Sequence, residues 1–156
     1  MPAIKPNHYI FGLAKKYNIP LIGEIEYAYI NGLNKKDIIG VTGTNGKTTT
    51  TNLIYDLLRT QNNEVFLCGN RDTPITQVVN NTTKNSILVC EVSSFALESI
   101  TNEFKPQVSS ILNITVDHIS RHKTFVNYKN TKFNITINQN LHKLEIIKQH
   151  HLFWKF

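Results

Sequence analysis

Between an apolar run, Asp37-Ile38-Ile39-Gly40-Val41, and a helix-forming stretch from Lys47 to Arg59 lies the short link Thr42-Gly43-Thr44-Asn45-Gly46. No other feature constrains the fold as strongly. Gly43 and Gly46 permit turns tight enough for successive N–H groups to converge on an anion. The N-terminus of the following helix adds positive potential at the same point. In such a cradle Lys47 reaches the terminal phosphates and the Thr48 hydroxyl holds Mg²⁺. The spacing departs from the common Walker pattern, which would place Gly at position 41, where this chain has Val. A Gly-containing turn with a Thr or Asn helix cap is the plainer alternative. Gly-Lys-Thr opening a helix after an apolar strand is nevertheless a compound signal, and it points to ATP or GTP.

A chain of 156 residues has length for one domain with a real core. Its 40% hydrophobic share and mean hydropathy of −0.24 fit a globular protein rather than a disordered one. No apolar run is long enough to span a bilayer, and the N-terminus lacks a basic-then-apolar signal pattern. The expectation is a cytoplasmic chain without a membrane partner. Cys68 and Cys90 stand singly in apolar surroundings, as reduced buried thiols do. The formal charge of +6 invites a nucleic-acid reading, but Lys and Arg are scattered, and no basic stripe interleaves with aromatics. A solvated surface and an anionic small-molecule substrate account for the charge without nucleic acid.

Residues 7–17 read as a short amphipathic helix, Ile19 to Gly23 as a strand, Glu24 to Ile30 as a helix, and Asn31 to Asn34 as a loop. Glu64 to Cys68, Ser86 to Val92 and Gln107 to Leu112 read as further strands, with a turn at Gly69-Asn70 and a helix from Ser93 to Ile100. This alternation implies an α/β fold, a mostly parallel sheet with flanking helices. Ligand groups then belong at the carboxyl ends of strands. Lys47 and Thr48, Asn70, Glu91, and Asn113 to His118 all follow strands. Glu91 suits a carboxylate that ligates Mg²⁺ or orients water, with a solvent-facing strand-end acid as the alternative. Asp117-His118 offers a second cation ligand or general base. Lys132 reads, on its own, as a solvated lysine on a helix. From Asn134 onward the chain shows no Gly, Pro or element boundary, and His150-His151 lacks the further ligands a metal site needs.

Five blocks follow one another: Gly43-Thr44-Asn45-Gly46-Lys47-Thr48-Thr49, Gly69-Asn70, Glu91-Val92-Ser93-Ser94-Phe95, Leu112-Asn113-Ile114-Thr115-Val116-Asp117-His118, and Asn127-Tyr128-Lys129-Asn130-Thr131-Lys132. Together they resemble the Mur ligases, the ATP-dependent amide-forming enzymes of peptidoglycan precursor synthesis. The first block alone would also fit folylpolyglutamate synthetases. Within the family the resemblance is closest to the D-glutamate-adding branch, on Ile22-Gly23-Glu24-Ile25-Glu26, Ser93-Ser94-Phe95 and Arg121-His122. Ala96-Leu97 leans toward the meso-diaminopimelate- or lysine-adding relatives, since Ala96 stands where the D-glutamate branch usually has Gln. Arg71-Asp72 replaces an expected apolar-Gly pair.

The resemblance implies a P-loop-type central domain and a reaction joining UDP-N-acetylmuramoyl-L-alanine to D-glutamate through an acyl phosphate formed with ATP. It implies that Gly43, Thr44, Asn45, Gly46, Lys47, Thr48 and Thr49 cradle ATP, and that Lys47, His118 and Lys132 serve catalysis. Thr48 and Glu91 would hold a first Mg²⁺, with His118 and a carbamylated Lys132 holding a second. Asn70 and Ser93 would contact the muramoyl substrate. Residues 1–35 correspond to the end of an N-terminal UDP-substrate domain, 36–137 to an incomplete central ATP-binding domain, and 138–156 to a divergent tail. The UDP-binding loop, the later adenine contacts and the C-terminal domain have no counterpart. The expectation is a truncated ligase: active with a partner chain that carries the missing domains, or else a nucleotide-binding remnant.

Overall fold

Four apolar runs build the sheet. In the computed structural model, which describes residue 4 and residues 7–33 and 36–139, they are β1 (Asp37–Thr42), β2 (Val65–Gly69), β3 (Ile87–Glu91) and β4 (Val108–Ile111). All pair in parallel, in the order β2-β3-β1-β4, so β1 and β3 are the inner strands. Register places Ile38 beside Leu88, Gly40 beside Cys90 and Cys68 beside Cys90. Alternation therefore sends Ile38, Leu88, Cys90 and Cys68 to one face. There they pack with Ile25, Tyr29, Leu33, Leu97, Phe104 and Ile75, the first residue of the short helix α4 (Ile75–Val78). Val41, Val65 and Val89 are buried on the opposite face. α3 (Lys47–Arg59) runs along β1, β2 and β3 with Thr51 buried, while Leu53 and Leu57 stay exposed.

The segment before β1 joins the same core. α1 (Tyr9–Lys16) buries only Ala14, whereas α2 (Glu24–Ala28) and the π-helical turn Tyr29–Leu33 contribute Ile25, Ala28, Tyr29 and Leu33. Asn31 and Gly32 leave helical dihedrals inside that turn, where the sequence suggested a loop; Asn34 lies outside the described residues. The Glu26 side chain is wholly buried and accepts the Thr101 hydroxyl, the Glu103 N–H at 3.0 Å and the Phe104 N–H at 3.2 Å.

Two expectations need correction. Ile19 to Gly23 forms no strand: Ile19, Leu21 and Ile22 are exposed and pair with no sheet edge, and Pro20 has no N–H to offer a ladder. The helix after β3 is a single turn, α5 (Ser94–Leu97), rather than a run to Ile100. The central domain, expected over 36–137, is anchored through to residue 139. After α7 (Phe125–Phe133), a 3₁₀ turn at Asn134–Thr136 buries Ile135 against Gly40 of β1. Side-chain amides then tie the segment to the end of α5 and the loop before β4: Asn134 donates to Leu97 O at 3.0 Å, Asn138 to Thr101 O and Phe104 O at 2.9 and 3.0 Å, and Gln139 to Pro106 O at 2.7 Å. His150-His151 and the aromatic end lie outside the described residues.

Candidate active site at the strand ends

The link after β1 needs glycine at its last position. Gly46 caps α3 with φ +83°, a left-handed conformation that a side chain disfavours. The loop is then pinned from β4. Asn113 accepts the Asn45 N–H at 2.9 Å and donates to Asn45 O at 3.0 Å, while Thr44 N donates to Asn113 O at 2.9 Å. The Thr44 hydroxyl bonds Tyr128 Oη at 3.0 Å and accepts the Thr115 N–H at 3.0 Å. Lys47 Nζ folds over the loop, donating to Gly43 O and Thr44 O, each at 2.9 Å.

Glu91, at the end of β3, is buried rather than solvent-facing. Its Oε2 accepts the Thr48 hydroxyl at 2.7 Å, and its Oε1 accepts the Asn70 amide at 3.3 Å. Asn70 is brought there by the turn at Gly69 (φ +105°), where a Cβ would lie 2.2 Å from Glu91 O. Ser93 caps α5, accepting the Ala96 N–H at 3.2 Å. His118 sits in the left-handed region at the start of α6 (Ile119–His122), 3.4 Å from the Asp117 carboxylate, with its ring tilted against Phe95 at a centroid distance of 4.9 Å.

Lys132 is the main surprise. It is buried, donates to Gly43 O at 2.9 Å and lies over the Tyr128 ring. Burial first, and the nearby Lys47 charge second, lower its pKa to about 8, against the opposing pull of Asp117. Its plain reading as a solvated lysine is wrong, because α7 presses it onto the loop after β1.

Lys47, Asn70, Ser93, His118 and Lys132 line one pocket with Gly43 and Thr44, and Thr48 and Glu91 adjoin it through the Glu91–Asn70 bond. Asn45, Gly46 and Thr49 are exposed and do not line it. Sequence reasoning gave no role to Tyr128, Ser94 and Phe95, which line the same pocket, nor to Asn113, which holds the loop. All four fall inside the motif blocks, so the signal was there. Arg71 was noted only as a departure, yet its Nη1 lies 3.9 Å from Glu91 Oε2. For a divalent cation, the Thr48 hydroxyl and Glu91 carboxylate are the hard oxygen donors that Mg²⁺ takes. Among the described residues no cluster of three or more His, Cys, Asp or Glu forms a metal cage, and no helix is long and apolar enough to cross a membrane.

Fold and site together define the class: a parallel α/β protein with a glycine-bent loop after an inner strand and its polar groups at the strand ends. The chain belongs to the Mur ligase family, matching the Mur ligase middle domain over residues 41–154. It is 50% identical over 125 residues to a UDP-N-acetylmuramoylalanine–D-glutamate ligase of Lachnoclostridium phytofermentans, covering 80% of this chain and 27% of that protein. The like-named ligase of Thermoanaerobacter pseudethanolicus is 42% identical over 138 residues, covering 88% and 30%. The chain thus spans less than a third of the length of these relatives. The solved MurF ligase of Thermotoga maritima, in complex with ADP, superposes with a TM-score of 0.52 at 24% identity, covering 83% of this chain and 29% of that one. MurF from Acinetobacter baumannii gives 0.51 at 17%, covering 73% and 26%. Both show the fold.

Proposed function

We propose that this chain is the nucleotide- and muramoyl-binding segment of a ligase that joins D-glutamate to UDP-N-acetylmuramoyl-L-alanine, using ATP. One observation carries the reading: Lys47, Asn70, Ser93, His118 and Lys132, drawn from five separate stretches of chain, converge on one pocket beside the Thr48–Glu91 pair. The names of relatives 42–50% identical over most of the chain support the choice of amino acid. Transfer of a phosphoryl group to a carboxylate, followed by amine attack on the acyl phosphate, asks mainly for alignment and charge neutralisation. Lys47, held at the mouth of the loop, steadies the transferred phosphate. Asn70 and Ser93 orient the muramoyl substrate. Mg²⁺, when bound, supplies charge neutralisation, and Thr48 and Glu91 are the groups that would hold it.

Lys132 fits carbamylation. Only a neutral amine attacks CO₂, forming the N–C bond and losing a proton, and a pKa of about 8 leaves a usable neutral fraction near neutral pH. The product would be an anion where a cation stood, and with His118 it could hold a second Mg²⁺.

The test is ADP release by the purified chain with ATP, Mg²⁺, UDP-N-acetylmuramoyl-L-alanine and D-glutamate. Release that requires both substrates and falls about 10²–10³-fold in Lys47→Ala is the expected result. Absence of release from a chain that melts cooperatively would favour a second reading, nucleotide binding without turnover. The Arg71 guanidinium beside Glu91 is the observation on that side.

A further inference from the structure

We propose that His122 and Glu98 hold the Ser94 hydroxyl as a hydrogen-bond acceptor, and that Ser94 thereby positions the alanyl amide N–H of the muramoyl substrate. The inference rests on the muramoyl reading above. Ser94 opens α5 and Glu98 caps it four residues later, so the two share a face, and Glu98 N donates to Ser94 O at 3.1 Å. His122, the last residue of α6, lies across that face. Its Nε2 is 3.1 Å from Ser94 Oγ, and its Nδ1 is 3.2 Å from Glu98 Oε1. Arg121 fixes the carboxylate in turn, its Nε and Nη2 reaching Oε2 at 3.0 and 2.6 Å. A carboxylate only accepts, so the proton of a neutral ring belongs on Nδ1 and leaves Nε2 bare. Burial keeps the ring neutral near neutral pH. The single proton of Ser94 then goes to Nε2, and only lone pairs are left for the pocket that Ser94 lines. Ser94 is 3% exposed and His122 5%, so solvent offers the hydroxyl little alternative partner. Lys47, on the same pocket, is a donor matched to phosphate and carboxylate oxygens, whereas an acceptor is matched to an N–H. In UDP-N-acetylmuramoyl-L-alanine the N–H nearest the carboxylate to be activated is that of the alanyl amide. Asn70 and Ser93, which line the pocket with Ser94, are the muramoyl contacts of that reading.

The experiment is calorimetric titration of the full chain with UDP-N-acetylmuramoyl-L-alanine and with the analogue in which L-lactate replaces L-alanine, so that an ester oxygen stands in place of the amide N–H. Wild type, Ser94→Ala and His122→Phe are compared. The expected result is a wild-type preference for the amide of about tenfold or more, falling to about threefold or less in both variants. His122 does not line the pocket, so a purely structural role would weaken both ligands alike in His122→Phe and leave the ratio unmoved. Imidazole nitrogen NMR spectra of the wild type near neutral pH should show His122 protonated at Nδ1 and bare at Nε2. A wild type that binds amide and ester equally, or that carries the proton on Nε2, overturns the role of Ser94 and leaves muramoyl binding intact. A preference that either variant keeps does the same. No binding of either ligand, by a wild-type chain with a cooperative melt, overturns both this inference and the reading beneath it.

Discussion

Two buried carboxylates in this chain have opposite surroundings. Glu26 receives two backbone N–H groups and one hydroxyl, all from residues 101–104, and its acceptors are taken up by one neighbouring loop. Glu91 receives one hydroxyl and one amide from side chains on two separate elements, and faces the Arg71 guanidinium, whose Nη1 makes no hydrogen bond among the described residues. Backbone donors are fixed by the fold, so the Glu26 arrangement is a latch between α2 and the loop before β4. Side-chain donors can rotate away, so the Glu91 arrangement can exchange partners. Burial alone marks neither residue as functional; the kind of donor does.

Glu26→Ala gives the largest effect. It strands the buried Phe104 N–H together with the part-buried Glu103 N–H and Thr101 hydroxyl, and should lower the unfolding free energy by about 3 kcal/mol in urea denaturation. Glu91→Gln keeps the shape and can still accept from Thr48, and should lower it by about 1–2 kcal/mol. Equal losses at the two positions would break the contrast and make Glu91 structural as well.

Lys132 sharpens the same contrast with a cation. With a folded pKa of about 8 against 10.5, the folded chain holds fewer protons than the unfolded one between those values. Stability should therefore rise with pH across that window, by up to about 3 kcal/mol, and the contribution should be flat below it. Below pH 8 the buried ammonium works against folding. Lys132→Met removes this rise, measured as the difference between the two stability–pH curves in carbonate-free buffer. Parallel curves would mean that Lys132 is solvated after all.

The strands were legible as short runs rich in apolar residues, and α3 matched its expected span from Lys47 to Arg59. Ile19 to Gly23 has the same local look and fails because no sheet edge accepts it, a tertiary fact that a local pattern does not contain. Lys132 was legible as a member of a motif but not as buried, since α7 is only weakly amphipathic and its depth is set by packing against Gly43 and Tyr128. Residues 134–139 straddle the boundary expected at 137. Their anchoring runs through Asn and Gln amides, which in a sequence look like any polar tail.

His122 offers the smallest effect and the finest test. The ring is buried, with Nε2 3.1 Å from Ser94 Oγ and Nδ1 3.2 Å from Glu98 Oε1. Burial lowers its pKa below 6.5, and the charges of His118, Arg121 and Lys132 push the same way, against Glu98 alone. Glu98 is the strongest single charge acting on the ring, but burial outweighs it, and Arg121 already holds its Oε2 at 2.6 Å. Between the folded pKa and 6.5 the unfolded chain binds the extra proton, so this contribution to stability is complete above 6.5 and is lost as pH falls through the folded value. The slope from one such proton cannot exceed about 1.4 kcal/mol per pH unit. An NMR titration of the His122 ring should show a midpoint below 6.5, and Glu98→Gln should move it lower still. A midpoint above 6.5 would mean that the Glu98 carboxylate outweighs burial, and that His122, like Glu91, sits in a charge pair rather than in a packed core.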